Sequence, residues 1–174
     1  MTAQPVLPFG NLVWWEVKDG DETGRALFRS HYSYRPYADG RDPKLFVGPG
    51  EKLVLLTPCA RALFVWRKFI SGAGQQGVNC AVFRNEGAGL SSDLIREADA
   101  IADKRWPGER HYTYVNAKKI RGTNPGFCFI KAGWKRCGVT KHNKLIILER
   151  GQHPQVAAAF VRATSVWVGQ SSET

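Results

Sequence analysis

The junction at residues 78–102 constrains this chain more than any other segment. Val78-Asn79-Cys80-Ala81-Val82-Phe83-Arg84 is a short apolar run rich in β-formers and reads as a strand. A helix follows almost at once. Ser91 and Ser92 offer capping hydroxyls, and Asp93 suits the positive end of the helix. Leu94, Ile95, Ala98, Ile101 and Ala102 recur at spacings of three and four, an apolar stripe made to lie on a sheet. Between strand and helix stands Arg84-Asn85-Glu86-Gly87-Ala88-Gly89. Glycines there let backbone N–H groups turn outward, and the helix start adds positive partial charge. That combination is an anion or pyrophosphate cradle built from Arg84, Asn85, Gly87, Gly89, Ser91 and Ser92. An ordinary strand-to-helix turn has the same R-x-x-G-x-G pattern, and the flanking elements favour the cradle. No Gly-Lys-Ser/Thr follows it and the G-x-G-x-x-G spacing is missing, so it is neither a Walker loop nor a Rossmann fingerprint.

The remaining segments are expected to complete one α/β domain. Residues 12–17 read as a strand, and residues 21–35 as a helix capped by Thr23 and stopped by Pro36. Glycine and proline make residues 36–50 a loop. Residues 52–57 and 62–69 are two strands joined tightly as an antiparallel hairpin. Residues 111–115 are a strand, and 125–131 a short helix with Asn124 as cap, Pro125 first and Gly133 closing it. Residues 144–149 are a strand, residues 156–168 another with a short helix before it, and the tail is polar from Gly169. The expected fold is α/β (α+β), with a mixed, mostly antiparallel central sheet flanked by helices on both faces. A length of 174 residues suits a single domain 1–174, its core spanning about residues 10–168.

Charge narrows the partner. Against 15 Asp+Glu stand 25 Lys+Arg, a formal charge of +10, which points to a polyanion such as nucleic acid. Lys118, Lys119 and Arg121 form one basic knot, and Lys131, Lys135, Arg136, Lys141 and Lys144 a second run. Arg35 adds a cation beside Tyr34. A charge run is often only a solvated face, and here the interleaved Tyr, Phe and Trp favour nucleic-acid contact. No segment reads as membrane-spanning or as a secretory leader, so a reducing cytoplasm is expected. Cys59, Cys80, Cys128 and Cys137 show no C-x-x-C pair, and no metal is assigned. The oligomeric state is left open, a homodimer included.

The strand, the R-x-x-G-x-G loop of Arg84, Gly87 and Gly89, the helix, the next strand and Phe129-Ile130-Lys131-Ala132-Gly133-Trp134 together resemble the GNAT acyltransferase superfamily over about residues 50–150. In that family the loop binds the pyrophosphate of acyl-CoA. The resemblance therefore implies acyl-CoA, acetyl-CoA above all, or another acyl or aminoacyl donor. A narrower resemblance runs through Tyr114-Val115-Asn116, Lys119-Ile120-Arg121, Thr123-Asn124-Pro125-Gly126 and the upstream His31-Tyr32-Ser33. These are similar to phage DNA-modification proteins of the Mom type. That likeness implies transfer of a small acyl or carbamoylmethyl-type group to the N6 amine of adenine in double-stranded DNA, which shields it from restriction. It also implies that the turn at Asn124 lies near the splayed centre of the sheet, beside the donor.

The same residues fit such chemistry on their own terms. A purine's exocyclic amine is a poor nucleophile, so an enzyme must orient it, take its proton and stabilise charge on the donor. His31, Tyr32 and Tyr34 supply acid or base groups, with Ser33 between them. Tyr112 and Tyr114 alternate on one strand face, either to pack a core or to stack on an extruded base. Trp66, Trp106 and Trp134 read as packing residues. Two other readings compete: an acetyl-CoA-dependent N-acetyltransferase of a small amine, peptide or tRNA, and a non-catalytic nucleic-acid-binding protein.

Overall fold

The structure is a computed structural model, and it describes residues 13–70, 72 and 74–151. The strand expected at 156–168 and the polar tail lie outside the described residues. In chain order the elements are β1 (Trp15–Val17), α1 (Arg25–Arg29), β2 (Glu51–Leu56), β3 (Ala62–Lys68), β4 (Val78–Asn85), α2 (Ser91–Arg105), β5 (His111–Val115), a 3-10 turn (Ala117–Lys119), α3 (Phe127–Lys131), β6 (Lys135–Val139) and β7 (Ile146–Arg150). Among the described residues the seven strands form one sheet in the order β1-β2-β3-β4-β5-β7-β6. Every pair is antiparallel except β4 with β5, which run parallel because α2 carries the chain back across one face.

Two cores sandwich the sheet. On one face, Leu94, Ile95, Ala98 and Ala102 of α2 and Phe129 of α3 pack on Leu53, Phe64, Trp66 and Leu148. On the other, Leu27 and Phe28 of α1 pack with Phe46 on Val54, Leu63, Val65 and Val82. The sequence dictates this at β3, where Ala62, Phe64 and Trp66 face one core and Leu63 and Val65 the other, so no position is polar until Arg67. Helices therefore flank a mixed, mostly antiparallel sheet on both faces. No helix of the described residues is long and apolar enough to cross a membrane.

The buried face of α2 carries two polar residues, Ser92 and Asp99. Asp99 is buried, its Oδ1 meeting His111 Nδ1 at 2.8 Å and its Oδ2 accepting the Trp134 indole N–H at 2.9 Å. This knot ties α2, β5 and the end of α3 together below the sheet.

Several expected local features take another form. Ser91 and Ser92 begin α2 and do not cap it; the cap is Leu90, which has no side-chain oxygen. α1 is a single turn capped by Gly24, while Asp21 Oδ1 accepts the Thr23 and Gly24 N–H groups. Asn124 does not cap α3, because Gly126 stands there at φ +82° and Asn124 instead closes a turn through its carbonyl to the Phe127 N–H. Gly133, at φ +98°, does end α3: its N–H bonds to Ile130 O and the Trp134 N–H to Phe129 O. β6 falls on the segment read only as a basic run, and Lys144 lies before β7, at φ +54°.

Candidate active site

The sheet opens at its parallel seam. β4 and β5 pair only as Val78↔His111, Asn79↔Tyr112 and Cys80↔Thr113. Immediately beyond, Val82 and Cys80 oppose the neighbours Val65 and Trp66 of β3, so Ala81 is an extra residue, a bulge. The bulge turns β4 away from β5, and the two strands part with no ladder between Ala81–Asn85 and Tyr114–Val115. A cavity of about 130 Å³ occupies the gap. Ala81 and Phe83 line it from β4, Thr113 and Tyr114 from β5, and Gly126 and Phe129 from the start of α3 and within it.

His31 and Tyr32, from the turn after α1, enter this seam. Their rings lie 4.4 Å apart, and the Tyr32 hydroxyl donates to Tyr114 O at 3.1 Å, pinning the turn to β5. His31 is 8% exposed. Burial, with the positive charge of Arg84 as a second cause, lowers its pKa to about 4, so it is neutral at physiological pH. Ser33 Oγ lies 2.7 Å from His31 Nδ1, and the Ser33 backbone N–H donates to the same atom at 3.2 Å. Burial raises the Tyr32 pKa, which keeps it a neutral O–H group. Cys80 and Cys128 also line the cavity, and burial pushes both thiols up, so neither is an activated nucleophile.

A larger groove of about 810 Å³ continues from the cavity, sharing His31, Tyr32, Phe83, Ile120 and Cys128 with it. It adds three cations, Arg84, Lys119 and Arg121, and three hydrogen-bonding groups, Ser30, Asn85 and Ser91. Arg84 leans on Glu86, with Nη2 at 2.9 Å from Oε1. The glycine loop is knotted by Asn85: its Oδ1 accepts the Gly87 and Ala88 N–H groups at 3.1 and 2.9 Å, and its Nδ2 donates to Gly89 O and Ser91 Oγ at 2.8 Å. Gly87 takes φ +87°, which this turn demands of its residue. The cradle is thus narrower than expected. Two of its N–H groups face Asn85, and what the groove meets is the α2 N-terminus, with no side-chain cap, plus the cations.

Of the residues singled out, His31, Tyr32, Tyr114, Arg84, Asn85, Ser91, Lys119 and Arg121 line this connected space. Ser33 reaches it through His31. Gly87 and Gly89 shape the loop and do not line the groove, and Ser92 is buried on the inner face of α2. Tyr112 is fully buried, so on this strand face only Tyr114 is available to a ligand. Tyr34 is not in the seam; its hydroxyl donates to Asp42. Asn124 is exposed and off the cavity, and Gly126, two residues on, lines it in its place. The Arg35 guanidinium bonds the Tyr32 and Tyr34 carbonyls and lines a separate groove under the 36–50 loop. Lys118, Lys131, Lys135 and Arg136 are exposed outside the cavity and its groove.

Cys80, Phe83, Thr113, Ile120, Gly126 and Cys128 line the seam without having been marked as site residues. They read as core because they are apolar or small, and only the bulge, a matter of cross-strand register, exposes them. Among the described residues no group of three or more His, Cys, Asp or Glu is arranged to hold a metal ion. No protein-family model matches the chain, and no curated protein matches it.

Proposed function

We propose that this protein is a GNAT-like transferase that modifies the N6 amine of adenine in double-stranded DNA, in the manner of the Mom-type proteins it resembles. The observation that carries the reading is the seam itself: a small cavity between two parting parallel strands that opens directly into a groove of three cations at a helix N-terminus. A donor with a pyrophosphate and an acyl end matches that shape. Arg84, Lys119, Arg121 and the first N–H groups of α2 would hold the phosphates of an acyl-CoA or related donor. Such a donor would supply an activated acyl carbon: as the bond to N6 forms, the bond from the acyl carbon to the CoA sulfur breaks, and the amine proton ends on the departing thiol. The chain's own groups then have three tasks. His31 and Tyr32 form the polar wall of the cavity, the apolar Phe83 and Phe129 exclude water, and Tyr114 borders the seam beside the strand face from which a base would approach. Net charge of +10 supports a DNA acceptor over a small amine.

Mass spectrometry of nucleosides digested from plasmid DNA of expressing cells tests the reading. A heavier deoxyadenosine, absent with His31→Ala, is expected, and its mass identifies the group transferred. Unchanged nucleosides would overturn the DNA reading. Stabilisation of the purified protein by acetyl-CoA in a melting experiment would then favour an N-acetyltransferase of amines outside DNA.

A further inference from the structure

We propose that Ser33 is a positioning residue that fixes His31 as the Nε2–H tautomer, so that His31 offers the seam a hydrogen-bond donor and not a proton acceptor. The role in catalysis rests on the function proposed above; the tautomer does not.

The argument starts at Nδ1. The Ser33 backbone N–H points at this nitrogen at 3.2 Å, and a backbone N–H can only donate. Nδ1 must therefore present its lone pair. The Ser33 hydroxyl, 2.7 Å away, rotates freely and donates to the same lone pair. A hydrogen on Nδ1 would face the Ser33 N–H head-on. Doubly protonated imidazolium is equally excluded near neutrality, because burial and Arg84 hold the ring neutral. One hydrogen remains, and it sits on Nε2. That atom has no partner among the described residues, while the His31 side chain lines both the cavity and the cationic groove. The Tyr32 ring packs against the imidazole at a 30° tilt, with centroids 4.4 Å apart, and its hydroxyl ties the turn to β5. The charged and titratable groups that line the same spaces are Arg84 and Cys80 on β4, Tyr32 on its own turn, Tyr114 on β5, Lys119 and Arg121 before α3, and Cys128 on α3; none is a carboxylate that would draw a proton to Nδ1. A neutral N–H aimed into a partly closed cavity suits an oxygen of the bound donor group that carries negative charge.

Two measurements decide this. The first is long-range proton–nitrogen NMR on the full chain, uniformly labelled at its four histidines, near pH 7. His31 is assigned by the signals that vanish in His31→Gln. An unprotonated Nδ1 and a protonated Nε2 are expected, retained in Ser33→Ala, which keeps the backbone N–H, and moved toward the average of two tautomers in Ser33→Pro, which removes both donors to Nδ1. A protonated Nδ1 in the wild type or in Ser33→Ala overturns the proposal, and so does a folded Ser33→Pro protein whose His31 signals match the wild type.

The second is the modified fraction of adenine in cells expressing His31→Gln or His31→Ala. Glutamine keeps an N–H where Nε2 stands but cannot act as a base. A donor role leaves His31→Gln within about 10-fold of wild type while His31→Ala falls about 100-fold or more. Equal loss of about 100-fold or more in both variants would mean that His31 serves as a base, and would overturn the donor role. Absence of any modified base with the wild type rejects the proposed function and leaves the NMR outcome to stand or fall by itself.

Discussion

His31 carries a measurable signature in stability as well as in chemistry. Its folded pKa of about 4 lies below the ordinary 6.5, so between those values the unfolded chain takes up a proton that the folded chain refuses. Stability is therefore intact above pH 6.5 and is lost as the pH falls toward 4, by about 3 kcal/mol once both states are protonated. Urea unfolding at pH 7 and pH 5 checks this: His31→Gln should flatten the difference between the two midpoints. An unchanged difference would assign the pH dependence to other groups. Tyr32→Phe removes a hydroxyl that bonds Tyr114 O, and is expected to cost about 1 kcal/mol while leaving the domain folded. Loss of modification in that folded variant would place the Tyr32 hydroxyl in the reaction. A comparable residue-scale test applies to the buried knot. Asp99→Ala strands the His111 ring and the Trp134 indole N–H without their acceptor, and should lower stability by about 3 kcal/mol, some 6–12 °C in melting temperature. A drop of under a degree would mean that water replaces the carboxylate.

At the scale of elements, the parts with strong periodicity were legible and the seam was not. The stripe of α2 and the apolar runs of β2, β3, β4 and β5 declare themselves because each must bury one or both faces. β6 hides because its residues, Lys135 to Val139, are nearly all solvent-facing at the sheet edge and show no alternation. The Ala81 bulge has no sequence signal, since it arises from how β4 meets β3, and with it went the chance to mark Cys80, Thr113 and Cys128 as cavity residues. His31 and Tyr32 sit on a turn, where no period exists. Acid–base reasoning could single them out by residue type, and the contact to Tyr114, 82 residues away, had no sequence signal. Gly126 is the element-scale test of the seam. It stands at φ +82°, and a Cβ there would come within 2.6 Å of Leu148 Cδ1. Gly126→Ala should thus cost about 2 kcal/mol or more and shift the packing of this cavity-lining turn against Val115 and Leu148, lowering modification more than stability alone accounts for. Wild-type activity in a fully folded Gly126→Ala protein would show that the cavity's shape at this turn does not matter to the reaction.

At the scale of the whole molecule, the excess charge divides into two populations with different expected duties. Arg84, Lys119 and Arg121 line a groove that runs into the cavity, where a compact phosphate group can be enclosed. Lys118, Lys131, Lys135 and Arg136 lie outside it in open solvent, and such cations suit a long backbone better than a small ligand. The two populations separate by salt dependence. Each DNA phosphate contact contributes about one unit to the slope of log affinity against log salt. Lys135→Ala and Arg136→Ala should each lower the slope for duplex DNA by about one. Lys119→Ala and Arg121→Ala should leave that slope unchanged, yet weaken protection of the protein by acetyl-CoA or another phosphorylated donor in melting experiments. The reverse pattern would make the groove a track for DNA and remove the donor from it. That outcome would keep the seam and favour the nucleic-acid-binding reading over the proposed transferase, since the groove of three cations at the α2 N-terminus is where the proposal puts the donor.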